Sequence, residues 1–203
     1  NYLRFISGLH EFNSKESSLN YGRTLERHRN EVGLHSEHSK QKLVEIMAFC
    51  LMPNHFHLML KQKTEQGITE FMRKLGTGYT NYFNLKYRRV GPLFQGKFKA
   101  VLINKENHLL YLPHYIHLNP LEAKILKENI KDTDEVSKTL EQLKTYKWSS
   151  LPDYLGIRSF PGLVNTSFIL GCSGGLKNFT RHMEEWIRHP NLDDVATVSL
   201  DNY

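Results

Sequence analysis

Residues 43–60, LVEIMAFCLMPNHFHLML, hold two apolar runs separated by one Pro-Asn pair, and no other stretch constrains the fold as tightly. Leu43 to Leu51 reads as a buried strand. Pro53-Asn54 predicts a turn that sends the chain back through His55–Leu60 as the second arm of a hairpin. Side chains alternate along a strand, so His55 and His57 share one face while Phe56 enters the opposite layer. Their backbones then stand about 6.5–7 Å apart, close enough for two imidazoles to converge on one metal ion. Two half-buried polar residues at a strand edge would satisfy the same spacing.

The other elements are read from periodicity and breakers. Asn1 to Phe12 is an amphipathic helix containing charges, which excludes a signal peptide. The chain opens on Asn and not Met, which predicts a longer translation product. Residues 13–40 are polar and without a clear period. They read as an insertion carrying a helical piece around 22–31. Ile68 to Lys86 is a helix closed by Arg88-Arg89-Val90-Gly91-Pro92, and Phe98 to Ile103 a third strand. Glu106 to Leu118 is a second long helix stopped by Asn119-Pro120, because a residue before proline avoids the helical region. A charged helical stretch over 127–144 and a last amphipathic helix, Leu176 to Arg188, follow. The order predicts an α+β fold, with helices packed on an antiparallel sheet.

Length and composition agree with one domain, or one domain with an appendage. No apolar stretch reaches the ~20 residues needed to span a bilayer. Two cysteines, Cys50 and Cys172, are too few for a disulfide framework, so a reduced, cytoplasmic setting is the expectation. Charge says more. Lys and Arg number 27 against 21 Asp and Glu, a net +6, which fits a polyanionic partner. The excess is concentrated. No acidic residue occurs from Arg73 to Lys105, a span holding Arg73, Lys74, Lys86, Arg88, Arg89, Lys97, Lys99 and Lys105. Tyr79, Tyr82, Phe83, Tyr87, Phe94 and Phe98 are interleaved with them. Cations neutralise phosphates and aromatic faces stack on unpaired bases, as a single-strand nucleic-acid surface requires. A solvated basic helix with its aromatics facing a core has the same composition.

On the helix ending at Leu118, Tyr111, Tyr115 and Asn119 fall at successive i, i+4 positions and form one stripe. Leu109, Leu112 and Ile116 form a neighbouring apolar stripe suited to packing on the sheet. Packed tyrosines with Asn119 as a helix cap are the plainer alternative.

The ordered segments MPNHFHLML, GPLFQGKFKA, YIHLNP and YKWSS resemble the REP-associated tyrosine transposases. These are relatives of the IS200/IS605 single-tyrosine (Y1) transposases within the HUH endonuclease superfamily. The resemblance runs from about Val44 to Trp186. It implies an HUH-type, ferredoxin-like antiparallel sheet with helices packed on it and a helical C-terminal extension. Residues 1–148 would form the catalytic domain and 149–203 the extension. His55 and His57, with Asn119, would hold a divalent metal, Mg2+ or Mn2+. Such a donor set leaves positions open on a hard ion for a phosphate oxygen, whereas a structural zinc site would be closed by four ligands. Tyr115 would be the nucleophile and form a 5′-phosphotyrosine link to hairpin-forming repeat DNA.

Phosphate and base contacts would come from Arg73, Lys74, Arg88, Arg89, Phe94, Gln95, Lys97 and Lys99. The resemblance implies a monomer like the REP-type relatives, with a homodimer like the insertion-sequence relatives as the other state. Two departures stand out. Pro113 predicts a helix that restarts near Leu112 and shifts Tyr115. The family's strand upstream of the first helix has no counterpart here, so it lies outside this chain or the sheet is short by one member. A module of the same fold that binds structured DNA or RNA without cutting it is the alternative function. A hydrolase of small phosphoesters fits the ligands and leaves the basic span unexplained.

Overall fold

A computed structural model describes residues 1–15, 41–128, 130–157 and 159–190. The expected insertion over 13–40 lies almost wholly outside them, and its helical piece at 22–31 does so entirely. The fold is α+β. Strands β1 (Val44–Leu51) and β2 (Phe56–Gln62) form an antiparallel sheet of two. The α-helices among the described residues are α1 (Tyr2–Glu11), α2 (Gly67–Tyr87), α3 (Glu106–Leu118), α4 (Glu122–Glu128), α5 (Thr133–Thr145), α6 (Leu151–Tyr154), α7 (Ser167–Cys172) and α8 (Leu176–Arg188). The chain divides into two compact units, residues 1–45 with 62–97 and residues 46–61 with 98–203. No described helix is long and apolar enough to cross a membrane. Both cysteines are free, Cys50 buried and Cys172 exposed.

In the first unit α1 packs on α2. Phe5, Ile6, Leu9 and Phe12 are buried, as are Phe71 and Leu75 at helical spacing on α2. Two glycines allow this approach. The Phe12 ring fills the space a Cβ on Gly78 would need, and a Cβ on Gly8 would lie 3.1 Å from the Leu75 side chain. Glycine inside a helix costs about 1 kcal/mol in conformational entropy, and here the close contact offsets it. Asn13 ties the chain after α1 to the start of β1. Its amide donates to the Val44 carbonyl and accepts from the Val44 N–H, both at 2.9 Å.

In the second unit β1 is occupied along its far edge as well as by β2. The Leu51 N–H donates to the Trp148 carbonyl at 2.8 Å, Ser150 N–H to Phe49 at 3.0 Å and Asn165 N–H to Ile46 at 2.9 Å. Cys50 bridges antiparallel to Ser149, and Ile46 parallel to Val164. The third strand expected over 98–103 does not form, and the far edge of β1 is not open to it. A strand exists only by pairing, and no ladder reaches these residues among those described. Phe98 and Val101 are each 40 % exposed and Leu102 80 %. The core joins Met47 and Met59 of the hairpin to Leu112 and Ile116 of α3, and to Phe179, Met183 and Ile187 of α8.

Helix α3 corrects two local expectations. It runs unbroken from Glu106 to Leu118 with Pro113 inside it, so there is no restart at Leu112. Pro113 and residues 114–118 are all buried, and their packing outweighs the hydrogen bond that proline cannot donate. Asn119 is also helical, at φ −44° and ψ −41°, although proline follows. The chain passes through one 3-10 turn, Asn119–Leu121, directly into α4. Tertiary packing here overrides the pre-proline preference.

Candidate active site and basic surface

The turn between β1 and β2 is closed by the Met52 N–H donating to the His55 carbonyl at 2.9 Å. It places His55 one residue before β2 and His57 second within it. The two rings lie side by side, centroids 4.9 Å apart and nearly perpendicular. His55 Nδ1 sits 2.8 Å from Asn54 Oδ1. An amide oxygen can only accept, so Nδ1 carries the proton and Nε2 presents its lone pair. A neighbour that fixes the tautomer in this way is the usual support of a metal-binding histidine. Asn54 was not among the expected site residues, though its place beside the His-Phe-His run could have suggested it.

Helix α3 brings Tyr115 to the same place. The Tyr115 ring packs edge-on against His57 at 6.2 Å, and the side chain is only 4 % exposed. Asn119, also buried, donates its amide nitrogen to the Tyr115 carbonyl at 3.2 Å. Tyr111 belongs to another contact, against Trp186 at 6.0 Å. Glu122, at the start of α4, is electrostatically coupled to His55, and burial raises its carboxyl above the ordinary range. It too was not anticipated. Among the described residues no three His, Cys, Asp or Glu side chains cluster as metal ligands. The ligands that the resemblance implies, His55, His57 and Asn119, comprise two imidazoles and an amide, a donor combination that would suit a hard ion retaining water.

Two further histidines of α3 face inward. His114 packs on Phe179 at 4.4 Å, and His117 sits edge-on to Tyr154 at 5.1 Å. Burial pushes each down to about 3, and for His114 the neighbouring His117 and His182 add to the effect. Both are therefore neutral in the folded protein, while the unfolded chain takes up a proton at each near pH 6.5. The folded value lies below the unfolded one, so this contribution to stability is complete above pH 6.5 and is lost as pH falls toward 3. At pH 5.5 each histidine should cost on the order of 1 kcal/mol. Urea denaturation at pH 7.5 and 5.5 should show the loss, and His114→Phe should remove about half of it. A pH-independent midpoint would mean that these rings are not buried as neutral imidazoles.

The basic span divides between the units. Arg73, Arg88, Arg89, Gln95 and Lys97 are exposed in the first, Phe94 is half-buried there, and Lys99 is exposed in the second. Lys74 is engaged structurally, donating to the Ser14 carbonyl at 2.6 Å and pairing with Glu70 at 2.8 Å. An aromatic ladder accompanies the cations. Tyr79 contacts Tyr82, Phe83 and Phe94 at 6.0–6.4 Å, and Phe83 contacts Tyr87 at 4.5 Å. Lys86 lies over Tyr82 and Tyr87, and Arg89 over Phe83.

Arg88 ends α2 in the left-handed conformation, φ 52° and ψ 44°, where glycine is favoured. An exposed arginine held there against its backbone preference points to a side-chain role. Arg88→Gly should keep or raise thermal stability while weakening single-strand DNA binding. The slope of log K against log salt should fall by about 0.7 for one lost phosphate contact. Unchanged affinity and slope would show that Arg88 does not touch DNA.

Residues 24–119, just under half of the chain, match the family model described as Transposase IS200 like. Over that segment the chain is similar to the IS200-like transposases. No curated protein and no solved structure matches the chain.

Proposed function

We propose that this protein is a metal-dependent single-strand DNA endonuclease and strand transferase of the REP-associated type, acting on hairpin-forming repeat DNA. The observation that carries the reading is Tyr115 packed against His57, with Asn119 one helical turn further on. His55, His57 and Asn119 would hold Mg2+ or Mn2+. When bound, such an ion would supply Lewis-acid stabilisation of charge on the scissile phosphate. Tyr115 Oη attacks phosphorus in line, and the bond to the 3′ oxygen breaks. Once the site has opened, the phenol proton is given up to water and the leaving oxygen takes a proton from water to depart as a 3′-hydroxyl. The phosphodiester's free energy is retained in the phosphotyrosine link, so rejoining needs no nucleotide cofactor.

The cations of the first unit would supply affinity through phosphate contacts, with Phe94 and Gln95 meeting bases. Tyr115 is 4 % exposed, so attack requires the residues over the phenol to open. The same burial favours a second reading, a module of this fold that holds structured DNA without cutting it. Incubation with labelled hairpin DNA and Mn2+, followed by a denaturing gel, separates the two. A DNA-linked protein band supports the transferase, and binding without such a band supports the module.

A further inference from the structure

We propose that the hydrogen bond between His117 and Ser150 is a latch that holds α3 against β1 and so keeps Tyr115 beside His57. His117 and Ser150 are positioning residues, and the inference rests on the reading of Tyr115 as nucleophile given above. Both are fully buried, with His117 Nε2 2.8 Å from Ser150 Oγ. The hydroxyl also accepts the Phe49 N–H at 2.9 Å and lies 3.3 Å from the Phe49 carbonyl oxygen.

Proton counting fixes the arrangement. Ser150 Oγ accepts from Phe49 N–H and from His117 Nε2–H, and its own proton goes to the Phe49 carbonyl. The other tautomer would place an N–H on Nδ1, which is buried with no partner among the described residues. Buried orphan N–H groups are rarer than unmet acceptors. One hydroxyl therefore joins the backbone of β1 to the turn of α3 that carries both Tyr115 and Asn119. Residues two apart on a helix point about 200° apart. A bond at His117 thus resists the rotation of α3 that would carry Tyr115 away from His57. Tyr154 reinforces the joint, packing on His117 and donating its hydroxyl to the Met47 carbonyl at 2.7 Å.

The test compares wild type with His117→Leu, Ser150→Ala, the double variant and His117→Gln, whose amide nitrogen can replace Nε2. With labelled aromatic rings, the NOE between Tyr115 and His57 reports the geometry directly, and single-turnover cleavage reports its consequence. Both single variants should lose the NOE. Their cleavage should slow about a hundredfold, as a misplacement of 1 Å does, with DNA affinity unchanged because both side chains are buried. His117→Gln should restore contact and rate. The double variant removes the orphaned His117 N–H but still leaves the Phe49 N–H without the Ser150 hydroxyl, so it should regain part of the thermal stability lost in Ser150→Ala without regaining the NOE or the rate. That pattern distinguishes positioning from stability alone. An NOE of wild-type strength in the single variants, or one that recovers with melting temperature in the double variant, overturns the latch. If the wild-type protein does not cleave DNA, the catalytic reading fails, while the NOE comparison still decides the latch.

Discussion

His55→Ala and His57→Ala proteins are expected to bind hairpin DNA like wild type and to cleave it about a thousandfold more slowly. Loss of a ligand removes the charge stabilisation that a bound ion gives a phosphate, which is worth several kcal/mol, and each 1.36 kcal/mol is tenfold in rate. Affinity would come from cations in another part of the chain and should survive. Asn54→Ala should have a smaller effect of the same kind. It frees His55 to adopt either tautomer, and loss of such a partner typically costs 10–100-fold in metal affinity or activity. Excess Mn2+ should therefore rescue Asn54→Ala and leave the histidine variants inactive. Wild-type cleavage by the double alanine variant in the presence of chelator would remove the metal from the account.

Tyr115→Phe is expected to abolish the covalent protein–DNA product altogether, because it deletes the attacking oxygen and little else. The ring and its packing on His57 remain, so melting temperature and DNA affinity should change little. Tyr111→Phe should retain the adduct, since Tyr111 lies a turn away on α3 and packs on Trp186. A gel-shift titration beside the denaturing gel shows whether binding and bond formation separate in this way.

Local signals account for what could be read in advance. Pro53-Asn54 between two apolar runs specified the hairpin, and alternation along β2 placed His55 and His57 together. The last helix was expected and found over Leu176–Arg188, where Phe179, Met183, Trp186 and Ile187 keep one buried face. Failures arose where a distant partner decides the outcome. Residues 98–103 have a strand's composition, but the far edge of β1 is taken by residues 148–150 and 164–165. Pro113 and Asn119 break rules that hold for isolated helices, and burial of the surrounding α3 side chains overrides them.

The candidate site was legible in part for the same reason. Spacing put His55 with His57 on one strand face and Tyr111, Tyr115 and Asn119 on one helical stripe, and the resemblance singled out Tyr115 and Asn119. Spacing did not indicate that His55 Nδ1 lies against the Asn54 amide oxygen or that Glu122 is part-buried near His55. Nor could it show that His117 reaches a serine 33 residues away. Lys74 illustrates the converse. Its charge fits a DNA surface, yet its ammonium is engaged with Ser14 and Glu70.

The central claim is that Tyr115 forms a covalent bond to DNA, and peptide mapping of the adduct tests it most directly. Wild-type protein would be incubated with hairpin DNA and Mn2+, treated with nuclease and protease, and analysed by tandem mass spectrometry. The account predicts a nucleotide 5′-phosphate on the peptide containing residues 111–119, with fragment ions locating it on Tyr115. A nucleotide on Tyr111 or on any other residue, or cleaved DNA with no adduct at all, would contradict it.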